Sequence, residues 1–433
     1  MKKLLSFLLS TLVFLLIQQP SLAAPLPSAD DEPTQNNNWY DELFFSDKSF
    51  TLEFIRTLGY AYSGGADIGE SISTSKQIPD ADIDSWYQQW LVTANRLYGV
   101  AEKMKQKNDL ASAREAYLRA SNYYRTAGFY MVAAKDRDKS INTLGLSKSS
   151  FLNAIATLPF IQPIKIPYDG TVLPGYLIRS PFKNSPLLIV NTGFDGTAEE
   201  LYFQIGVAAY ERGYNVLLFE GPGQGEVLRK QNIPFRYDWE HVVTPIIDYA
   251  LTLPDINKNK IALLGVGMGG YLVARAAAFD KRIKACVVNG GVYDVAESAV
   301  KNVPADFMKL LTSNPGKFDT AMYDEMKKNV RAGWFFNNAM WAFQAASPAD
   351  VLTKLQQYSM KDVVKQIKCP MLVVNSEDDV FNQGQAKMLY EELSSSKTFM
   401  EFTKEDDAQA HSQMGATAIS NEKILNWLNA TLS

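Results

Sequence analysis

A succession of short aliphatic runs dominates the second half of the chain: "PLLIVNTG", "NVLLFEG", "KIALLGVG", "IKACVVNGG", "MLVVNSED" and "TFMEFTK". Each closes on glycine or a polar turn, and helix-patterned sequence separates most of them. Runs this short and this uniformly apolar leave no face for water, so they read as strands of a mostly parallel sheet with helices on both sides. Ahead of them, "IQPIKIPYDGTVLPGYLIRS" reads as a β-hairpin turning at Asp169-Gly170. The expectation is an α/β fold of about eight strands in one doubly wound sheet over residues 159–433. Between "IKACVVNGG" and "MLVVNSED" lies an insertion, residues 294–365, rich in Phe, Trp and Met ("GWFFNNAMWAFQAA"). It reads as a helical lid over the carboxyl ends of the strands, where open α/β sheets bind ligands. Plain packing helices are the alternative.

Upstream, residues 39–158 are helical in pattern. "DSWYQQWLVTANRLYGVAEKMKQ" and "LASAREAYLRASNYYRTAGFYMVAA" place apolar side chains three and four apart. Only one such pair is present, which argues for an N-terminal helical module and against a repeat solenoid. Its aromatic stripe (Trp86, Tyr87, Trp90, Tyr117, Tyr123, Tyr124) is expected in the core. At the start, Lys2 and Lys3 precede "LLSFLLSTLVFLLI" and then "QQPSLAA". This is the pattern of a signal peptide over residues 1–24, cleaved near Ala23 or Ala24. An uncleaved anchor is the alternative, but the run is shorter than the roughly 20 residues a spanning helix needs. Residues 25–38 read as a flexible leader. The expectation is an exported protein, periplasmic or secreted, with no stable membrane span after processing.

The formal net charge of −4 and the lack of any basic run give no footing for nucleic acid. Cys286 and Cys369 fall on neighbouring predicted strands; export permits a disulfide, and two small buried side chains are the favoured reading. No spacing suggests a metal site, and no cofactor is implied.

Strand, glycine turn and helix meet at "GVGMGG" (265–270), the layout of a nucleophile elbow, G-x-S-x-G. Gly265 and Gly269 fit the signature, but the central position is Gly267. "NTGFDGTAEELYF" (191–203), "EGPGQGE" (220–226), "GVGMGGYLVARAAAF" (265–279), "NSEDD" (375–379) and "HSQMGA" (411–416) follow in order. With these segments the chain, from about residue 40 onward, resembles α/β-hydrolases that carry an N-terminal helical module. The nearest group is that of the 2,6-dihydroxypseudooxynicotine hydrolases and the fungal polyketide chain-shortening hydrolases. The fermentation–respiration switch esterase-like proteins are more distant.

The resemblance implies a role for each matching position. His411 corresponds to the general base, and Asp378 to the acid that orients it, with Asp379 as runner-up. The backbone N–H groups of Phe194 and Met268 correspond to the oxyanion hole. His241, inside a predicted helix, is read as structural. Asp195 lies in the oxyanion loop and away from the elbow, so it is not expected to be a nucleophile. "EGPGQGE" lacks the Lys-Ser/Thr of a phosphate cradle and reads as a tight turn. Members of the resembling group often pair, so a homodimer is a possible assembly.

Gly267 sets the functional question. Elbow residues sit at positive φ, which costs a residue with a side chain roughly 1–3 kcal/mol and costs glycine nothing comparable. The turn therefore survives while the hydroxyl is gone, and no Ser, Cys or Thr lies within 265–270. Two expectations follow. The first is a hydrolase-derived pseudoenzyme, or a very weak hydrolase, that binds a carbonyl-bearing or aromatic small molecule. The second is a hydrolase of ester or C–C bonds whose Asp378–His411 pair activates a water directly.

Overall fold

The computed structural model describes residues 39–41, 43–132, 136–301, 303 and 305–433. The expected signal segment and leader, residues 1–38, lie outside these.

Eight strands form one sheet: β1 (Ile161–Tyr168), β2 (Thr171–Ile178), β3 (Ser185–Asn191), β4 (Asn215–Phe219), β5 (Ile256–Val266), β6 (Ala285–Asn289), β7 (Met371–Ser376) and β8 (Lys397–Phe402). Their order is β1-β2-β4-β3-β5-β6-β7-β8. β1 and β2 form the antiparallel hairpin, with Tyr168 opposite Thr171. Asp169 and Gly170 both take positive φ (39° and 75°), as a two-residue type I′ turn demands. β2 pairs antiparallel with β4, and from β4 to β8 every pairing is parallel.

Burial follows position in the sheet. β4 and β6 are buried at every residue, as strands covered on both faces must be. The edge strand β1 alternates buried and exposed from Ile164 onward, and β8 at the other edge exposes Thr398 and Glu401 and buries only Phe402. Two buried clusters, one on each side of the sheet, follow from this double cover.

The N-terminal helices pack as a layer of aromatic side chains. Phe50 stacks on Tyr130 at 4.9 Å and meets Trp86 edge-on at 4.6 Å, and Trp90 meets Tyr123 at 5.2 Å. The Trp86 indole N–H donates to the Thr126 carbonyl at 2.8 Å, which satisfies the polar end of a fully buried ring. Of the aromatic stripe, Trp86, Trp90, Tyr117, Tyr123 and Tyr124 are buried and Tyr87 is half-buried. These helices and the sheet belong to one compact unit, residues 39–433.

Among the described residues, five α-helices lie between β6 and β7, Val295–Val300, Ala305–Ser313, Pro315–Met326, Val330–Ala342 and Pro348–Leu355, followed by one short 3₁₀ turn, Val364–Gln366. The fourth carries "GWFFNNAMWA" and lies against the loops that leave β3 and β7. Cys286 and Cys369 are both buried and free. Cys286 is on β6, whereas Cys369 precedes β7 by two residues. Among the described residues no helix is long and apolar enough to cross a membrane.

Candidate active site

The elbow forms where β5 ends. Gly267 has φ +58°, its N–H donates to the Asn289 carbonyl at 2.8 Å, and its carbonyl accepts from Gly270 N–H at 2.9 Å. Gly265 is required by close approach, since a Cβ there would stand 2.0 Å from the Gly269 carbonyl oxygen. At Gly267 the opposite holds. A Cβ would meet only the His411 ring within 4 Å, with Nε2 at 3.3 Å. The backbone thus aims position 267 at the imidazole and places no side chain there.

His411 follows β8 and precedes the C-terminal helix Thr417–Leu432. Its Nδ1 lies 2.8 Å from Asp379 Oδ1. Asp379, not Asp378, is therefore the acid partner. The choice is made by the turn after β7. Asp379 Oδ1 also accepts the N–H groups of Phe381 and Asn382, each at 2.9 Å, which draws that carboxylate inward. Asp378 is tied by its N–H to the Gln409 carbonyl and directs its carboxylate toward Lys404, 3.7 Å away. Burial pushes the Asp379 carboxyl upward, but His411 and the two N–H donors outweigh it and hold the group below its ordinary range. An ionised Asp379 fixes the proton of His411 on Nδ1 and leaves Nε2 as an acceptor.

That acceptor already has a partner. Ser412 Oγ lies 3.2 Å from His411 Nε2. Ser412 is buried and sits at φ 52°, ψ 29°, a left-handed conformation costly for serine. Gln413, also left-handed at φ 53°, anchors the turn. Its amide donates to Ser376 Oγ at 2.9 Å, and its carbonyl oxygen accepts from Asn289 Nδ2 and Ser420 Oγ, each at 2.8 Å. Sequence reasoning missed Ser412. Its adjacency to His411 was visible, but not the left-handed turn that folds its hydroxyl back onto the ring.

The loop after β3 supplies the expected oxyanion donors. A Cβ on Gly193 would lie 3.1 Å from the Met268 nitrogen, so this loop crosses directly over the elbow. Among the described residues neither Phe194 N–H nor Met268 N–H donates to a backbone carbonyl. Gln224, from "EGPGQGE", clamps the loop from below, its amide donating to the carbonyls of Thr192 (2.7 Å) and Gly193 (3.0 Å). From the side, Arg56 holds Glu200 through two 2.6 Å contacts and Asp195 at 2.7 Å. Burial raises the Glu200 carboxyl, yet Arg56 and Arg125 pull it down to about 2. Asp195 is thus occupied by an ion pair with the N-terminal helices. His241 is exposed, 3.4 Å from Asp238 and away from these groups in the fold's order.

Aromatic rings roof the site. Phe194 contacts Trp334, Phe335 and Phe343 at centroid distances of 5.8, 5.5 and 6.1 Å. Phe381 meets the His411 ring edge-on at 4.8 Å, and the Arg331 guanidinium lies 4.5 Å over Phe381 while donating to the Val380 carbonyl. Helix Val330–Ala342 therefore touches both the oxyanion loop and the acid loop. Among the described residues no group of three or more His, Cys, Asp or Glu side chains is placed to hold a metal ion.

Comparison with known proteins agrees with this fold. The family model described as "Alpha/beta hydrolase family" matches residues 187–408. Hydrolase acrC of Aspergillus aculeatus is 32% identical over 417 residues, covering 89% of this chain and 97% of that protein. The 20-hydroxy-prefusarin hydrolase FUS2 of Gibberella moniliformis is 32% identical over 411 residues, covering 90% and 98%. Among solved structures, the 2,6-dihydroxy-pseudo-oxynicotine hydrolase is similar in fold, with a TM-score of 0.67 at 19% identity over 87% of this chain and 95% of that one.

Proposed function

The chain belongs to the alpha/beta hydrolase family, and from that premise we propose that it is a hydrolase working without an acyl-enzyme. His411 and Asp379 activate a water against a carbonyl of an apolar or aromatic ligand. One observation carries this reading: a hydrogen-bonded His–Asp pair, its carboxylate buried, faces the place where the elbow side chain would stand. A buried carboxylate is costly to keep ionised, and simple ligand binding gives it nothing to do.

In this mechanism His411 takes a proton from water through Nε2. The water oxygen adds to the ester or ketone carbonyl, and the N–H groups of Phe194 and Met268 hold the resulting oxyanion. Asp379 supports the imidazolium. The intermediate collapses as His411 returns the proton to the departing alkoxide or carbanion, leaving a carboxylic acid and either an alcohol or the protonated carbon fragment, a phenol in the case of an acyl-phenol ketone. Turnover is expected to be slow, because a water is less firmly placed than a hydroxyl on the elbow. Steady-state assays of the native protein on short p-nitrophenyl esters and acyl-phenol ketones, beside His411→Ala, test the reading. Turnover that disappears in the variant supports it; turnover that is absent or unaffected by the variant refutes it.

A second reading is favoured by Ser412, whose hydroxyl occupies the lone pair that a water would need. On that reading the protein is a pseudoenzyme that binds a carbonyl-bearing ligand beneath the aromatic roof. Export is a further part of the proposal and rests on the pattern of residues 1–24. The amino-terminal sequence of the protein recovered outside the cytoplasm, beginning just after Ala23 or Ala24, is its test.

A further inference from the structure

Beside the oxyanion loop, the N-terminal helices, the lid and helix Gly225–Arg229 enclose a cavity with about 30 Å³ of room for water-sized groups. Three charged side chains line it: Arg125, Asp195 and Arg229. Two of them are neutralised elsewhere. Arg125 pairs with Glu53 at 2.7 Å, and Asp195 with Arg56 at 2.7 Å. Arg229 is different. Its contacts are a 3.4 Å hydrogen bond from Nε to Ser140 Oγ and the face of Trp341, 5.6 Å from the ring centroid. Among the described residues no carboxylate forms an ion pair with it. Burial lowers the pKa of its guanidinium, and the nearby carboxylates of Glu220 and Asp195 offset that only in part.

A second, independent feature points the same way. Asn338, on the lid helix, lines the cavity and is only 3% exposed, and its Nδ2 has no hydrogen-bond partner. A buried amide N–H left unmade is costly, and native structures rarely leave one without a reason. The cavity thus presents a cation without a direct ion-pair partner and an unused donor, beside the hydroxyls of Ser140 and Thr143 on helix Arg137–Ile155. Both of the dominant groups donate, so the complementary ligand group accepts. The space fits a group of a few atoms, not a ring.

We propose that this cavity seats a carboxylate of the ligand, held by Arg229 and Asn338. The adjoining walls, Asp195 and Trp334, belong to the loop and lid that frame the carbonyl site. A ligand with a carbonyl at one end and a carboxylate at the other is therefore the class the two sites would take together. The seat is a binding feature and stands whether or not the His411 pair turns substrate over.

Calorimetric titration of the full-length protein with phenylacetate and with its neutral counterpart phenylacetamide tests it. Phenylacetate is expected to bind at least about tenfold more tightly than phenylacetamide, as hydrogen bonds to a charged group imply. Arg229→Met and Asn338→Asp should each reduce phenylacetate affinity by about tenfold or more while leaving phenylacetamide unchanged. Asn338→Asp is nearly isosteric and carries the test if Arg229→Met does not fold. His411→Ala should keep the affinity for phenylacetate, so this proposal and the hydrolase reading fail separately. Equal binding of acid and amide, no binding of phenylacetate, unchanged affinity in both variants, or loss of binding in His411→Ala would overturn it.

Discussion

Two tight turns converge on the distal nitrogen of His411, and they resolve the same steric problem in opposite ways. At the elbow the left-handed residue is Gly267, with φ +58° and no side chain. In the histidine loop it is Ser412, with φ 52° and a hydroxyl on Nε2, followed by Gln413 at φ 53°. The elbow is relaxed and chemically empty. The histidine loop is strained and fully wired, its cost of about 1–3 kcal/mol per residue offset by three hydrogen bonds through Gln413. Strain persists here beside the base and has been relieved at the position that would carry the nucleophile. On the proposed reading, the groups for general-base chemistry are kept while covalent chemistry at the elbow is not.

The largest expected effect removes the wired side outright. His411→Ala and Asp379→Asn should each reduce turnover by about 10²–10⁴-fold, the usual worth of a positioned base. Asp378→Asn should leave it unchanged, as read by steady-state assays on the same esters. Equal losses at 378 and 379 would break the distinction between the two carboxylates.

A smaller effect concerns the anchor of the strained turn. Gln413→Leu leaves Asn289 Nδ2 and the hydroxyls of Ser376 and Ser420 without their partner. It should destabilise the fold by roughly 2–3 kcal/mol in urea denaturation. If stability is unchanged, the turn is held by something other than this network.

Ser412 competes with water for one lone pair in the proposed mechanism. Ser412→Ala should therefore raise turnover by about two- to tenfold, the worth of one neutral hydrogen bond. A fall instead would make the serine a participant and would break the comparison between the two turns.

The smallest effect is one of pH. Beneath the oxyanion loop, Glu220 accepts N–H groups from Ala198 and Glu226. Burial first, and then neighbouring Glu199, raise its carboxyl to about 7. The folded state then holds a proton that the unfolded state has lost, so stability falls as pH rises from the ordinary glutamate range toward about 7. Glu220→Gln should flatten that slope in thermal melts across the interval. Asp379 acts with the opposite sign. Its lowered pKa gives stability that is present above about pH 4 and lost as acid protonates the pair.

The frame of the site was legible because it rests on period and order. Buried strands have to read as apolar runs, and the sequence from "NTGFDG" through "GVGMGG" to "HSQMGA" follows the sheet. His411 was visible for the same reason. The choice between Asp378 and Asp379 was not, because adjacent residues in a turn face opposite ways and only the N–H groups of Phe381 and Asn382 decide which faces inward. Ser412 stayed hidden because a left-handed serine has no sequence signature. Arg229 and Asn338 come together only when the lid helix folds against helix Gly225–Arg229, more than a hundred residues earlier.

On the proposed reading, base, acid and backbone donors are assembled around an elbow lacking only its nucleophile. Intact-mass analysis after treatment with a fluorophosphonate probe tests it most directly, on the native protein, on Gly267→Ser and on the double variant Gly267→Ser with His411→Ala. No adduct is expected on the native protein, one adduct on Gly267→Ser at residue 267, and none once His411 is removed. An adduct on the native protein, at Ser412 or elsewhere, or a folded Gly267→Ser variant that stays unlabelled, would contradict it.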